Sequence, residues 1–183
     1  SDVCSSDLLI IYNNDNPNKR TMIAESIGYI PYLQTLAYYK NIDVLSFCDS
    51  LKRMNFLLKL KFRINCNQFF ENLEIAKTLE LHLTNLNSLN LCMYERDHNN
   101  NGAYHIIKAL SFLKRLKSLK IIINSLNDNE LMMTLLKILQ ELTLLEHLKI
   151  SNCHLSFNPT TFDSFCLTLS SLKFLLKLKD LLA

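Results

Sequence analysis

Residue types that commonly serve as metal ligands or nucleophiles occur in this sequence, but their spacing does not favour a site. Cys92, His98 and His105 do not form the close pairs, such as CxxC or HxxxH, on which zinc sites are built, and a fourth ligand is missing. Cys153 and His154 are adjacent, but neighbouring residues of a strand point in opposite directions and do not converge. We therefore predict no metal site and no cysteine nucleophile.

Other catalytic and cofactor-binding patterns are also missing. Asp128 and Glu130 resemble a carboxylate pair, but general acid–base catalysis needs two unequal environments and a pocket, and nothing nearby indicates either. The two glycines, Gly28 and Gly102, cannot form the glycine-rich turns that bind dinucleotides or nucleotide phosphates. The sequence thus predicts a protein that is not an enzyme and has neither catalytic residues nor a cofactor.

Composition excludes further classes of protein. The net charge of +3 is too small for a typical nucleic-acid-binding protein, and no apolar run reaches the roughly 18 residues of a membrane span. The six cysteines show no CxxC pair, which favours free buried thiols in a reducing compartment over a disulfide framework. We expect an intracellular, cytoplasmic protein that contacts neither nucleic acid nor membrane.

The elements that would position such residues follow from a repeat, which is the strongest pattern in the sequence. Residues 145–155, LEHLKISNCHL, follow the template LxxLxLxx[N/C]xL. A partial unit contains Leu9 and Ile11, and another unit starts near Leu172 or Leu175. The units between them are 24, 29, 30 and 29 residues apart, and their first template residues are Leu33, Leu57, Leu86, Leu116 and Leu145.

On these residues the sequence resembles the leucine-rich-repeat family, specifically its long-repeat, ribonuclease-inhibitor-like branch. Tyr94, where asparagine or cysteine is expected, and Asn67 and Arg96, where a leucine is expected, depart from the pattern. The resemblance implies an α/β solenoid, or horseshoe, of about five to seven repeats, with parallel strands on the concave face and helices on the convex face. It also implies that partners bind on the concave face.

Local patterns refine this expectation. In each unit alternating apolar residues should point inward, and the following Asn or Cys should turn inward at the bend. Asp128 and Thr160 lie where helix N-caps are expected, with Pro159 just upstream. The predicted helices are Phe69 to Leu83, Ala103 to Leu113, Glu130 to Glu141 and Thr161 to Ser171. We expect the polar residues 97–101 to form a loop, and five phenylalanines to lie in the core: Phe47, Phe56, Phe62, Phe69 and Phe70.

The predicted domain boundaries set the first residues apart. Residues 1–8, SDVCSSDL, resemble the translation of a sequencing-library adapter, so we expect a non-native tail there. Residues 9–183 would form the leucine-rich-repeat domain, truncated at both ends. An ordinary N-terminal tail is the alternative.

The candidate partner-binding residues occupy the variable positions of the strands. In the predicted register they stack at the strand spacing of about 4.8 Å and form a mildly basic ridge. They are Lys59, Lys61, Arg63, Asn90, Lys120, His147 and Lys149. An ordinary solvated face of a lysine-rich protein is the alternative interpretation.

These observations predict a protein–protein interaction scaffold without catalytic activity. It would bind another protein, for example one with an acidic segment, through the concave face. The alternative is a targeting or regulatory module of a larger enzyme-associated protein, such as a ubiquitin-ligase adaptor or a GTPase regulator. A structural role in a cytoskeletal or ciliary assembly is a third. The three differ in the domains that flank the repeats.

Overall fold

The computed structural model describes residues 8–12, 17–30, 32–39, 43–66, 68–94, 101–123, 129–152, 159–172, 175 and 177–179. Strands and helices alternate along these residues. The strands are β1 (Leu8–Tyr12), β2 (Thr35–Tyr39), β3 (Lys59–Asn65), β4 (Ser88–Tyr94), β5 (Ser118–Ile123), β6 (His147–Asn152) and β7 (Lys177–Lys179). The helices are α1 (Pro17–Ile27), α2 (Val44–Leu51), α3 (Phe69–His82), α4 (Asn101–Ala109), α5 (Asn129–Glu141) and α6 (Pro159–Ser171), and a 3₁₀ turn, Leu110–Phe112, follows α4.

The strands form one parallel sheet in which sequence order and spatial order coincide, from β1 to β7. The predicted α/β class is therefore confirmed. One template leucine of each unit pairs with that of the next, in the row Leu9, Leu36, Leu60, Leu89, Leu119, Leu148 and Leu178. Since Leu178 corresponds to Leu148, the last unit starts at Leu175 and not at Leu172.

The same turn enters each strand from β2 to β7. The backbone N–H of the first template leucine donates to the carbonyl three residues earlier, as in the bond from Leu57 to Met54 at 3.2 Å and from Leu86 to Leu83 at 3.1 Å. Each unit is also tied to its neighbour, because the Leu58 carbonyl accepts from the N–H groups of Asn87 and Ser88 at 2.8 and 3.0 Å. These bonds satisfy backbone groups where the chain bends, and they hold successive units in register.

One face of the sheet and the helices share a continuous apolar core. Strand side chains alternate between buried and more exposed positions, as in β3, where Leu60, Phe62 and Ile64 are buried. Helix residues such as Ile106 and Leu139 belong to the same buried cluster. The helices therefore cover this face, and the alternate strand residues point to the opposite side, which we call the open face.

The helix boundaries match the predicted ones within two residues at most ends. Helix α2 begins after Asp43, whose carboxylate accepts from the Ser46 N–H at 3.4 Å as an N-cap. The cap predicted at Thr160 is wrong, since Pro159 is already the first residue of α6 and places Thr160 in the first turn. Proline suits that position because its missing N–H would have no helical partner there. Asp128, the other predicted cap, lies outside the described residues.

The inward turn expected at the end of each strand is not found at Asn65. This residue is half-buried, whereas the next residue, Cys66, is buried. Strand β3 continues through Asn65 and pairs it with Tyr94, so the alternation of side chains places Asn65 on the side of Arg63.

One residue of the expected N-terminal tail lies in a strand. Leu8, assigned to the tail, is the first residue of β1 and pairs with Thr35. Residues 1–7 lie outside the described residues.

Candidate functional site

The open face is built from alternate residues of neighbouring strands. In β3 the residues between the buried ones are exposed or half-buried, and β4 and β5 repeat the pattern with half-buried residues. In the described part of the chain this surface consists of strand residues. All of its positions are set by the sheet register, because a parallel ladder keeps equivalent residues side by side.

The predicted central column of this face is formed as expected. Lys61 pairs with Asn90, Asn90 with Lys120, and Lys120 with Lys149. The side chains of these four residues are half-buried, so each presents part of its surface to solvent. At the usual spacing of about 4.8 Å between strands, they form a continuous polar ridge across four strands.

A second column runs beside the first. Lys59 pairs with Ser88, Ser88 with Ser118, and Ser118 with His147. Lys59 and His147, both predicted site residues, therefore occupy one column and are exposed, but two serines separate them. Lys59 and His147 therefore lie on the same face, but their strands, β3 and β6, are not neighbours in the sheet.

Arg63, the last predicted site residue, adjoins an aromatic residue of the next strand. Its guanidinium carbon lies 4.4 Å from the centre of the Tyr94 ring, a cation–π contact. Tyr94 pairs with Asn65, two residues beyond Arg63, so the contact is diagonal across the strands. The repeat template marked Tyr94 only as a departure, and its contact with Arg63 was not foreseen.

The register adds two residues that the sequence interpretation missed. Lys179 pairs with Lys149, and Lys177 pairs with His147. The signal was present in the leucine spacing, since a unit start at Leu175 places both lysines at the variable positions.

Charge on the strands has one sign. The seven described strands contain six lysines and one arginine, and they contain neither aspartate nor glutamate. The whole chain carries a net charge of only +3, so its acidic residues are concentrated outside the strands. Strands that carry cations and no carboxylate attract acidic ligands.

The residues considered for metal or nucleophilic chemistry lie only partly within the described part of the chain. Among the described residues, no group of three or more His, Cys, Asp or Glu side chains could hold a metal ion. Cys92 lies on β4, and His105 lies on α4 with its ring 5.3 Å from that of Phe69. His98, Asp128, Cys153 and His154 lie outside the described residues.

The predicted core position of the phenylalanines holds only in part. Phe47 and Phe62 are fully buried, with ring centres 6.0 Å apart. Phe56, Phe69 and Phe70 are 56%, 41% and 82% exposed, so their assignment to the core is wrong. Phe56 lies in the turn before β3, and Phe69 and Phe70 are the first two residues of α3.

Comparison of the sequence with protein-family models and with curated proteins gives no match in either case. None of the helices in the described part of the chain is long and apolar enough to cross a membrane. The functional interpretation therefore rests on the geometry and charge of the open face.

Proposed function

We propose that this chain is a leucine-rich-repeat solenoid that acts as a non-catalytic protein-binding scaffold, with the open face as its concave binding surface. Three features support the solenoid. The template leucines pair in one row, the strands from β2 to β7 are entered by the same turn, and the strands follow one another in sequence order. Such stacking leaves one side of the sheet uncovered by the described helices, as a binding surface requires.

The partner we propose is a protein with an acidic segment. The observation that carries this proposal is the charge of the strands, which hold seven cationic side chains and no carboxylate. An extended acidic segment that crosses the strands would meet Lys61, Lys120 and Lys149 in succession, because they belong to one column. Charge pairs on such a partly exposed surface act mainly on the association rate and on specificity.

The proposal can be tested by reversing the charge of the central column. We expect the variant Lys61→Glu/Lys120→Glu/Lys149→Glu to bind a fluorescein-labelled glutamate-rich peptide at least about tenfold more weakly than the wild type, a loss of about 1.4 kcal/mol. Fluorescence anisotropy titrations at low and high salt would measure it. Binding by the wild type should weaken as salt rises, since the charges are partly exposed.

A matched control changes the same number of charges elsewhere. Lys77, Lys108 and Lys137 are exposed residues of α3, α4 and α5, on the other side of the sheet. The variant Lys77→Glu/Lys108→Glu/Lys137→Glu should retain most of the affinity. Equal losses in the two variants would reduce the effect to net charge and refute the open face as the binding surface.

A further inference from the structure

Three uncharged polar side chains occupy the middle of the open face. Ser88 and Asn90 lie on β4, Ser118 lies on β5, and the register pairs Ser88 with Ser118. All three residues are half-buried. Their strands have paired neighbours on both sides, β3 and β6, and the turns that enter all four strands belong to the described part of the chain. We call these three residues the polar floor.

The polar floor has hydrogen-bonding capacity that the described residues leave unused. Within the described part of the chain, the hydroxyls of Ser88 and Ser118 and the side-chain amide of Asn90 form no hydrogen bond. Serines of the helical side differ, because the hydroxyls of Ser111 and Ser170 each donate to a backbone carbonyl three residues earlier. The polar floor therefore offers donors to a ligand that brings acceptors.

Basic side chains flank the polar floor in both directions across the sheet. Lys59 and Lys61 lie beside it on β3, Lys120 lies on β5, and His147 and Lys149 lie beside it on β6. The described strands carry no carboxylate that would neutralise these lysines. Since a lysine side chain is longer and more flexible than serine or asparagine, its amine group can reach over a ligand that lies on the floor.

A phosphate monoester matches this combination of donors and charge better than a carboxylate does. At neutral pH it carries a charge of about −1.5 to −2 and three strongly accepting oxygens, whereas a carboxylate carries a single charge and two oxygens. Its oxygens can accept from the paired hydroxyls of Ser88 and Ser118, while lysine amines on either side balance its charge. The remaining lysines of the central column are then left for carboxylates of the same ligand.

We propose that the acidic segment bound by the open face carries a phosphorylated serine or threonine, whose phosphate lies on the polar floor. This inference rests on the proposed function, because it specifies the segment that the open face binds. A segment that crosses from Lys61 to Lys149 passes three strand spacings, about 14 Å, which an extended chain covers with about five residues. The polar floor adjoins the middle of this path, so residues on both sides of the phosphorylated one meet lysines.

Fluorescein-labelled peptides of one acidic sequence test this assignment, with serine, glutamate or phosphoserine at the central position. In anisotropy titrations at neutral pH, the wild type should bind the phosphoserine peptide at least about tenfold more tightly than the serine peptide and at least about threefold more tightly than the glutamate peptide. The variant Ser88→Ala/Ser118→Ala changes no charge. It should lose most of the preference for phosphoserine over glutamate and should bind the glutamate peptide within about twofold of the wild type.

The control Ser111→Ala/Ser170→Ala removes two hydroxyls from the helical side and should keep the preference for phosphoserine. Equal binding of the phosphoserine and glutamate peptides by the wild type, or an unchanged preference in Ser88→Ala/Ser118→Ala, would overturn the phosphate assignment and leave the open face as a binding surface. Failure of all three peptides to bind would overturn the proposed function as well. Tighter binding to vesicles of phosphatidylcholine and a phosphoinositide than to the phosphoserine peptide would assign the floor to a lipid headgroup and overturn the peptide partner.

Discussion

At the scale of single residues, the described cysteines differ in how deeply they are buried. The sequence predicted free buried thiols, and this is confirmed for Cys48 and Cys66, whereas Cys92 is half-buried and Cys166 is exposed. Burial raises the pKa of the Cys48 thiol from 9.0 to about 12, since the charged thiolate loses its hydration in the core. The neutral thiol is thus the form that the folded protein accommodates.

Because of this shift, the free energy of unfolding should depend on pH in the alkaline range. The unfolded thiol releases its proton near pH 9 and the folded thiol only near pH 12, so Cys48 destabilises the fold increasingly between these values and has no such effect below pH 9. The advantage of the wild type over Cys48→Ala in free energy of unfolding should therefore shrink above pH 9, by at most about 1.4 kcal/mol per pH unit. Urea unfolding at pH 8, 9 and 10 would measure it.

Leu51→Ala provides the control for this experiment, because Leu51 is a buried residue of the same helix and does not titrate. The difference in stability between that variant and the wild type should stay constant over the same pH range. A constant difference for Cys48→Ala as well would contradict the assigned role of burial.

At the scale of elements, both glycines lie where helices of consecutive units meet. A Cβ at Gly28 would lie 2.9 Å from the Ser50 hydroxyl oxygen of α2. A Cβ at Gly102 in α4 would lie 2.5 Å from the Cys66 carbonyl oxygen and would also clash with the amide nitrogen of Asn72. That amide is buried and donates to the Asn65 carbonyl at 3.1 Å, so it is not free to move aside.

The contact at Gly102 predicts whether Gly102→Ala raises or lowers the free energy of unfolding. Helix propensity alone would make Gly102→Ala stabilising by about 1 kcal/mol. Because the methyl group meets a backbone carbonyl and a buried amide, we expect Gly102→Ala to lower the free energy of unfolding by about 1–3 kcal/mol instead. Gly28→Ala, whose nearest contact is a hydroxyl, should cost less. Thermal and urea unfolding would measure both, and a gain in stability for Gly102→Ala would refute the assigned contact.

At the scale of the whole molecule, the units depend on their neighbours for burial. The template leucines of the interior strands are almost completely buried, but Leu9 of β1 is only half-buried. In a stacked array each unit contributes its own stability and the stability of its interfaces, so an end unit with one described neighbour is held less firmly. Local opening should therefore begin at the ends of the sheet.

Two leucines in the same row allow a matched comparison. Leu89→Ala, in the central strand β4, should lower the free energy of unfolding by about 2–5 kcal/mol, and Leu9→Ala should cost less, because less apolar surface is buried there. Hydrogen exchange measured on both variants would locate the effect. Leu9→Ala should accelerate exchange mainly in β1 and α1, and an equal effect of both variants throughout the sheet would contradict unit-by-unit stability.

The sequence by itself determined the repeat and, through it, the register of the sheet. Leucines at a near-constant spacing can all be buried only if each unit places its strand beside the next, so Lys61, Asn90, Lys120 and Lys149 had to share a column once the period was known. The alternation of side chains within a strand then assigned them to the face opposite the core.

Only the tertiary structure decided features that depend on where the core ends and how closely neighbouring units approach. Composition alone does not separate Phe47, which is buried, from Phe70, which is 82% exposed, because Phe47 is buried by contacts with strand residues distant in sequence, Tyr38 and Phe62. The local pattern did not reveal that β3 continues through Asn65 or that Gly102 faces a carbonyl of the preceding unit. These features arise from contacts between residues of different units, and the repeat specifies the order of the units without specifying those contacts.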